Sequence, residues 1–183
     1  MTETFNPPVI NSRHAWIARL PRSRKPMVPK RIILHHSWIP EIKGWEGVYT
    51  IQGIQDYHMD ANKWADIGYH FVIGPDGSVW AGRDPGVEGA HCGGTPPVGV
   101  KRVFGNKGSV GICVIGNFDT EQPTQAAINA LLTLITWLQK RYNILTNMLY
   151  GHCEAWSVAP KICPGVNLFV PILGTPRWNA IRW

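Results

Sequence analysis

The sequence has no apolar run long enough to cross a bilayer and no segment with the composition of a secretion signal. A membrane-spanning helix needs roughly 18 or more apolar residues in succession, and no stretch of this chain approaches that length. The opening residues, MTETFNPPVINSRHAW, have neither a basic start nor an apolar centre. We therefore expect a chain made in the cytoplasm without a signal peptide and without a transmembrane segment.

Cysteine is also scarce. The chain has four cysteines and no CxxC pair, and a chain that starts in a reducing compartment seldom depends on disulfide bonds. A disulfide framework is therefore not expected, and at least one of the thiols is free to bind a metal. The four are Cys92, Cys113, Cys153 and Cys163.

Internal repeats and low-complexity segments are absent, which argues against solenoid and fibrous architectures. The 183 residues are 44% hydrophobic and 16% charged, values close to those of folded proteins that bury one core. We expect a single domain over residues 31–183, with residues 1–30 as an N-terminal extension that packs on it.

The charge that is present is predominantly positive. A formal net charge of +6 at pH 7 favours an anionic partner. Cell-wall polymers and nucleic acids both meet that description, so charge alone does not discriminate between them. Many of the basic residues lie between positions 19 and 31, where they could equally form a solvated entry segment.

Hydrophobic periodicity predicts strands and helices in alternation. Short apolar runs predict strands at 31–36, 69–73, 78–81, 109–115 and 148–150. Strands that alternate with helices predict an α/β fold in which helices flank a mixed central β-sheet.

Apolar residues at three- and four-residue spacing predict two helices. One covers 48–59, and the other continues to 141 with Pro123 in its first turn. The segment after Pro164 is less regular and could add a short terminal helix. The stripe of the second helix is predicted to be core and consists of Ile128, Leu131, Leu132, Ile135, Leu138 and Tyr142.

Candidate metal ligands lie at the predicted strand ends. His35 and His36 end the first strong strand, His152 follows the last one, and Cys163 comes shortly after. Zinc prefers nitrogen and sulfur ligands, and a catalytic site uses three of them and leaves a fourth position open. The HExxH motif of metalloproteases is absent. Each residue taken singly could instead be structural, so spacing alone leaves the metal site open.

Four stretches in order resemble the type 2 amidase and peptidoglycan-recognition-protein superfamily, which includes many phage endolysins. They are RIILHHSWIP, DIGYHFVIGPDGSVWAGRD, GAH completed by GNKGSVGICVIGNF, and GHCEAWSVAPKICPG. The resemblance covers most of residues 9–165. It implies a single catalytic domain over 31–183 that holds a zinc ion.

The resemblance assigns roles to individual residues. It makes His35, His152 and Cys163 the zinc ligands, whereas His36 occupies a position that varies. Cys153, beside His152, could compete for the metal if the loop geometry differs.

Two further residues are implied to be catalytic. Tyr69 is expected to orient the water or the substrate carbonyl, and Lys161 to stabilise the oxyanion. Without the resemblance, a packed strand tyrosine and a solvated loop lysine would be the simpler interpretations. Alternation along the strand predicts that His70 faces away from Tyr69 and is structural.

The substrate groove is implied to include His91 and Asn106. The loop over 92–105 is longer than in compact relatives and could reshape that groove. The stretch between His152 and Cys163 is also longer, and places Trp156 near the site as a possible wall.

The resemblance predicts a zinc-dependent N-acetylmuramoyl-L-alanine amidase that cleaves bacterial peptidoglycan. We expect the enzyme to be a monomer that acts on the cell wall as a bacteriolytic phage endolysin. The alternative is a peptidoglycan-binding protein without hydrolysis, and Cys163 argues against it because binding-only members commonly replace this cysteine. A nucleic-acid-binding function depends only on net charge and on scattered aromatics such as Trp38, Trp45 and Trp64, and no nucleic acid is expected.

Overall fold

The structure, a computed structural model, describes residues 7–95, 98–156 and 162–174. Within these residues the strands are β1 (Ile10–Asn11), β2 (Arg31–His36), β3 (Phe71–Ile73), β4 (Val79–Ala81), β5 (Ser109–Val114) and β6 (Leu149–Gly151). The α-helices are α1 (Val48–Asp56), α2 (Gln125–Tyr142) and α3 (Val166–Leu173). Short 3-10 helices cover Ile42–Gly44, Thr146–Met148 and His152–Ala155, and a π-helical turn, Tyr57–Ala61, extends α1.

The six described strands form one mixed sheet in the order β1-β4-β3-β5-β2-β6. Only the hairpin of β3 and β4 is antiparallel among the described pairs; the other neighbours run parallel. Because β2, β5 and β6 are parallel, their carboxyl ends meet at one edge of the sheet. The predicted α/β fold with a mixed central sheet flanked by helices is confirmed.

The sheet separates two buried layers. On one face, alternate residues of β2, β3 and β5 pack against α2 and α3 in an apolar core that includes Ile32, Leu34, Ile112 and Leu131. On the other face, Val72 and Cys113 pack beneath α1 and the N-terminal segment, where Ile51 and Trp16 are fully buried.

Helix α2 begins directly after its N-cap residue, Thr124. The Thr124 side chain accepts a hydrogen bond from the Ala127 backbone N–H at 3.1 Å, as an N-cap residue does. Pro123 therefore precedes the cap, and its prediction in the first turn is wrong. The helix ends at Asn143, which adopts the left-handed conformation. The predicted stripe is correct except at Leu132, which is 47% exposed.

The N-terminal segment over residues 7–30 packs on the sheet. Strand β1 pairs with β4, and the fully buried Trp16 donates from its indole nitrogen to the Ala81 carbonyl at 2.9 Å. Arg13 forms a 3.0 Å ion pair with the buried Asp66. These contacts make the segment part of the same core as α1.

Two other predictions agree with the structure apart from their boundaries. The helix predicted over 48–59 is α1 together with the first residues of the π-helical turn, which leaves His58 buried. The predicted terminal helix is α3. Among the described residues, no helix combines the length and the apolarity that crossing a membrane would require.

Candidate functional site

Three candidate metal ligands converge at the carboxyl edge of the sheet. His35 lies near the end of β2, and His152 directly follows β6, which pairs with β2 in the register Leu34↔Gly151. Cys163 comes from the loop before α3, which is joined to this edge by a 2.8 Å hydrogen bond from the Cys153 backbone N–H to the Cys163 carbonyl. The ligand atoms of His35, His152 and Cys163 all lie within 4.8 Å of one another.

This donor set fits zinc. The Sγ atom of Cys163 lies 3.7 Å from Nδ1 of His35, and the ring centroids of His35 and His152 are 4.5 Å apart. Two imidazoles and one thiol are the ligands of a catalytic zinc site that keeps its fourth position open. Among the described residues, no other group of three His, Cys, Asp or Glu side chains converges in this way.

The electrostatics of the site favour neutral ligands. Burial lowers the pKa of His35 well below its usual value, and the neighbouring His152 and His91 lower it further. Burial raises the pKa of the Cys163 thiol, and a hydrogen bond from the backbone of His36 partly opposes that rise. A bound cation reverses the preference of a thiol and holds it as the thiolate.

The cysteine loop requires glycine next to it. Gly165 has φ of +85°, and a Cβ atom there would overlap the carbonyl carbon of Phe118. Only glycine combines this dihedral with so close an approach. The CPG sequence at positions 163–165 therefore sets the path by which the thiol reaches the two histidines.

Tyr69 lies where two clefts adjoin. One cleft, of about 480 Å³, exposes the three candidate ligands together with Tyr69 and His91. The other, of about 640 Å³, is lined by residues of the loop after β2 and of α1. The ring of Tyr69 is 5.4 Å from that of His35, and burial raises the pKa of its hydroxyl well above the usual value. The hydroxyl therefore stays protonated and keeps its hydrogen-bond donor, with the Cys113 side chain as a neighbour.

The sequence of the chain matches a known protein family. A model of the family described as "N-acetylmuramoyl-L-alanine amidase" matches residues 24–166. The chain belongs to this amidase family.

Its relatives include peptidoglycan-recognition proteins. The chain is 39% identical over 134 residues to peptidoglycan-recognition protein SC2 of Drosophila melanogaster, a match that covers 73% of this chain and 66% of that protein. The Drosophila PGRP-LB wild-type structure superposes with a TM-score of 0.77 at 32% identity, over 95% of this chain and 98% of that one. Peptidoglycan recognition protein-LE, solved in complex with tracheal cytotoxin, superposes with a TM-score of 0.76 at 28% identity, over 94% and 96% of the two chains.

The amidase family suggested His91 and Asn106 as groove residues, and the structure separates them. His91 lines the cleft that contains His35, although it is only 6% exposed. Its Nδ1 atom lies 2.9 Å from Nε2 of His35. Asn106 lines a separate cleft of about 250 Å³, and its side-chain oxygen accepts a 2.6 Å hydrogen bond from the Cys92 backbone N–H. Asn106 thus holds the base of the long loop.

The other histidines have structural partners. Nδ1 of His36 accepts a hydrogen bond from the Phe118 backbone N–H at 3.2 Å, on the α2 face of the sheet. Nδ1 of His70 accepts a hydrogen bond from the Gly111 N–H, and its Nε2 donates one to the Val87 carbonyl, both at 2.9 Å. Strand β3 begins only at Phe71, and the rings of Tyr69 and His70 both contact that of His91. The prediction that these two side chains face opposite sides is therefore wrong.

Two residues that the sequence predicted at the site, Trp156 and Lys161, are not found among the residues that line the described cleft. Trp156 is 7% exposed and packs beneath Arg102 of the long loop, with the guanidinium 5.1 Å from the ring centroid, so it does not line the cleft. Lys161 lies outside the described residues.

Some residues that line the ligand cleft were not predicted from the sequence. Ser37 and Trp38 line both clefts, and Asp119 lies at the rim beside the ligands. Trp38 is 57% exposed with φ of +60°, an uncommon dihedral for a bulky residue. Its position directly after the ligand strand is the one sequence signal that could have identified it.

Proposed function

We propose that this protein is a zinc-dependent hydrolase of the amide bond between N-acetylmuramic acid and L-alanine in bacterial peptidoglycan. The observation that carries the proposal is the convergence of His35, His152 and Cys163 in a cleft that also contains Tyr69. Membership of the amidase family agrees with the reaction. The complex of recognition protein-LE with tracheal cytotoxin, a monomeric diaminopimelic acid-type peptidoglycan, supports this class of substrate.

The protein's own groups prepare the site for this reaction. His35 and His152 would bind through neutral ring nitrogens, and Cys163 would lose its proton as it binds. When bound, zinc supplies a Lewis acid that activates water at neutral pH. The fold would thus offer the metal two neutral ligands, at the end of β2 and directly after β6, and one anionic ligand from the loop before α3.

Tyr69 has the position and the protonation state of a hydrogen-bond donor to the substrate. Its raised pKa keeps the hydroxyl protonated, and its ring is within 5.4 Å of the His35 ring. We assign it the role of orienting the scissile carbonyl or the attacking water. The role of Lys161, stabilisation of the oxyanion, stays a prediction from the resemblance.

Replacement of the tyrosine by phenylalanine tests this role. Tyr69→Phe is expected to keep zinc at full occupancy and to lower kcat by about 10²–10³-fold, as removal of one oxyanion donor does. Zinc content by elemental analysis and kcat on purified peptidoglycan measure the two quantities. A variant with wild-type kcat would remove Tyr69 from the mechanism.

Peptidoglycan binding without hydrolysis is the second candidate function, because the relatives found are named as recognition proteins. The complete set of three ligands favours the enzyme. Action at the cell wall as a monomer is part of the proposal, and a phage lytic role stays a prediction from the sequence resemblance.

One experiment separates the two candidates. Purified protein is incubated with peptidoglycan, with and without a zinc chelator, and soluble fragments are identified by mass spectrometry. Release of stem peptides that begin with L-alanine, lost on chelation and restored by zinc, supports the amidase. Sedimentation of the protein with peptidoglycan and no released peptide would support recognition alone.

A further inference from the structure

The imidazole of His35 has a partner at each nitrogen. Its Nδ1 atom faces the Cys163 thiol at 3.7 Å, which is the side on which a metal would bind. Its Nε2 atom lies 2.9 Å from Nδ1 of His91. A neutral imidazole has one N–H donor and one acceptor nitrogen. The partners at the two nitrogens therefore determine which tautomer of His35 is present.

The far side of His91 determines which tautomer is present. Its Nε2 atom lies 3.1 Å from the Ser109 backbone carbonyl, which can only accept a hydrogen bond. Nε2 of His91 must therefore carry the proton, and Nδ1 of His91 is left as an acceptor. Nε2 of His35 then donates to that acceptor, and the lone pair of His35 lies on Nδ1, directed at the thiol.

The His91 ring has little freedom to turn. It packs on the backbone of Gly111 in β5, where a Cβ atom would overlap the ring, and on Gly89, where a Cβ atom would lie 2.5 Å from a ring carbon. The ring of His70 contacts it at a centroid distance of 5.4 Å, nearly at a right angle. Hydrogen bonds from Gly111 and to Val87 fix His70 in turn.

We propose that His91 is a positioning residue of the metal centre, which accepts a hydrogen bond from His35 and thereby holds the Nδ1 lone pair of His35 toward the zinc. The proposal rests on the zinc site of the proposed function. It assigns His91 a task other than the substrate contact expected from the resemblance. Partners of this kind orient a ligand ring and increase its basicity.

Zinc affinity of matched variants tests the proposal. His91→Leu removes the acceptor, whereas His91→Asn retains an oxygen acceptor at the position of Nδ1. Expected results, from competition with a chromophoric chelator, are a zinc Kd about 10–100-fold higher for the leucine variant and largely restored affinity for the asparagine variant. His14→Ala, which removes an exposed histidine, should leave the zinc Kd unchanged.

The outcomes distinguish the two roles of His91. If the leucine variant binds zinc as tightly as the wild type and only its KM for peptidoglycan rises, His91 is a substrate contact and the proposal is overturned. Equal weakening by leucine and asparagine, with the same loss of thermal stability, would show a packing role and also overturn it.

A second measurement needs no substitution and no metal. Long-range ¹H–¹⁵N correlation spectra of the metal-free protein report which ring nitrogen of each histidine carries a proton. We expect the Nε2–H tautomer for both His35 and His91; an Nδ1–H tautomer for His35 overturns the proposal. A wild-type protein that shows the expected tautomers but binds no zinc would reject the proposed function and retain the hydrogen-bonded pair.

Discussion

The two faces of strand β2 bury different kinds of side chain. On the α2 face, Ile32 and Leu34 are fully buried among apolar residues. On the other face, Ile33 is followed by His35, whose ring lies within 5.4 Å of three other aromatic or imidazole rings. Successive residues of a strand point to opposite faces. Strand β2 therefore supplies Ile32 and Leu34 to the core and His35 to the candidate metal site. We expect substitutions on the two faces to affect stability and metal binding separately.

Exchange of the two adjacent histidines tests this separation most directly. His35→Ala removes a ligand and should abolish zinc binding and hydrolysis. His36→Ala removes the acceptor of the Phe118 N–H. His36 also lines the ligand cleft but does not belong to the converging donor set, so this variant should retain zinc. Zinc content and peptide release measure both variants; equal loss from both would contradict the separation of the two faces.

The two cysteines beside the site provide a similar pair. Cys163→Ala is expected to lose zinc and activity, with an effect larger than the about 10–100-fold expected for a residue that only supports a ligand. Cys153→Ala should keep zinc, since Cys153 is buried outside the converging set. Titration with zinc under reducing conditions gives both affinities. Full zinc affinity in the Cys163 variant would refute the ligand assignment.

A core substitution on the opposite face should have the reverse effect. Leu131 of α2 is fully buried, and Leu131→Ala should reduce the free energy of unfolding by about 2–5 kcal/mol. The zinc Kd of the folded protein should not change. Urea denaturation of the metal-free protein and zinc competition measure the two effects, and a large change in Kd would show that the faces are coupled.

The last expected effect concerns pH. Burial lowers the pKa of His58 to about 4, against about 6.5 in the unfolded chain. The unfolded chain takes up the proton first, so the stabilisation is complete above pH 6.5 and is lost as the pH falls toward 4, by about 3 kcal/mol.

A variant isolates this contribution from those of the other buried histidines. His58 accepts a 3.0 Å hydrogen bond from the Gly68 N–H through Nδ1, and His58→Asn keeps an acceptor at that position. Denaturation between pH 4 and 7 should show a shallower fall in stability for the variant. Parallel profiles for the two proteins would mean that His58 keeps an ordinary pKa.

Much of the fold could be predicted from the sequence because its signals are local. The apolar run at 31–36 and the stripe of α2 follow from side-chain periodicity. The boundary errors have local physical causes: the Thr124 cap displaced Pro123 from the first turn, and the late start of β3 removed the alternation assumed for His70.

The site was only partly predictable. The resemblance led to His35, His152 and Cys163 because the motifs around them are distinctive, and the structure brings their ligand atoms together. It gave no means to place Asn106 in a separate cleft. The long loop determines that position through contacts that no local pattern encodes.

The sequence by itself determined the main strands and the charge of the protein, because residue type and periodicity are local properties, and its resemblance to a known family predicted the donor set. Only the tertiary structure decided which nitrogen of His35 faces the thiol. That choice depends on His91, 56 residues away in the chain, and on the Ser109 carbonyl beneath it. A tautomer is selected by the hydrogen-bonding partners around the ring, and folding alone brings those partners together.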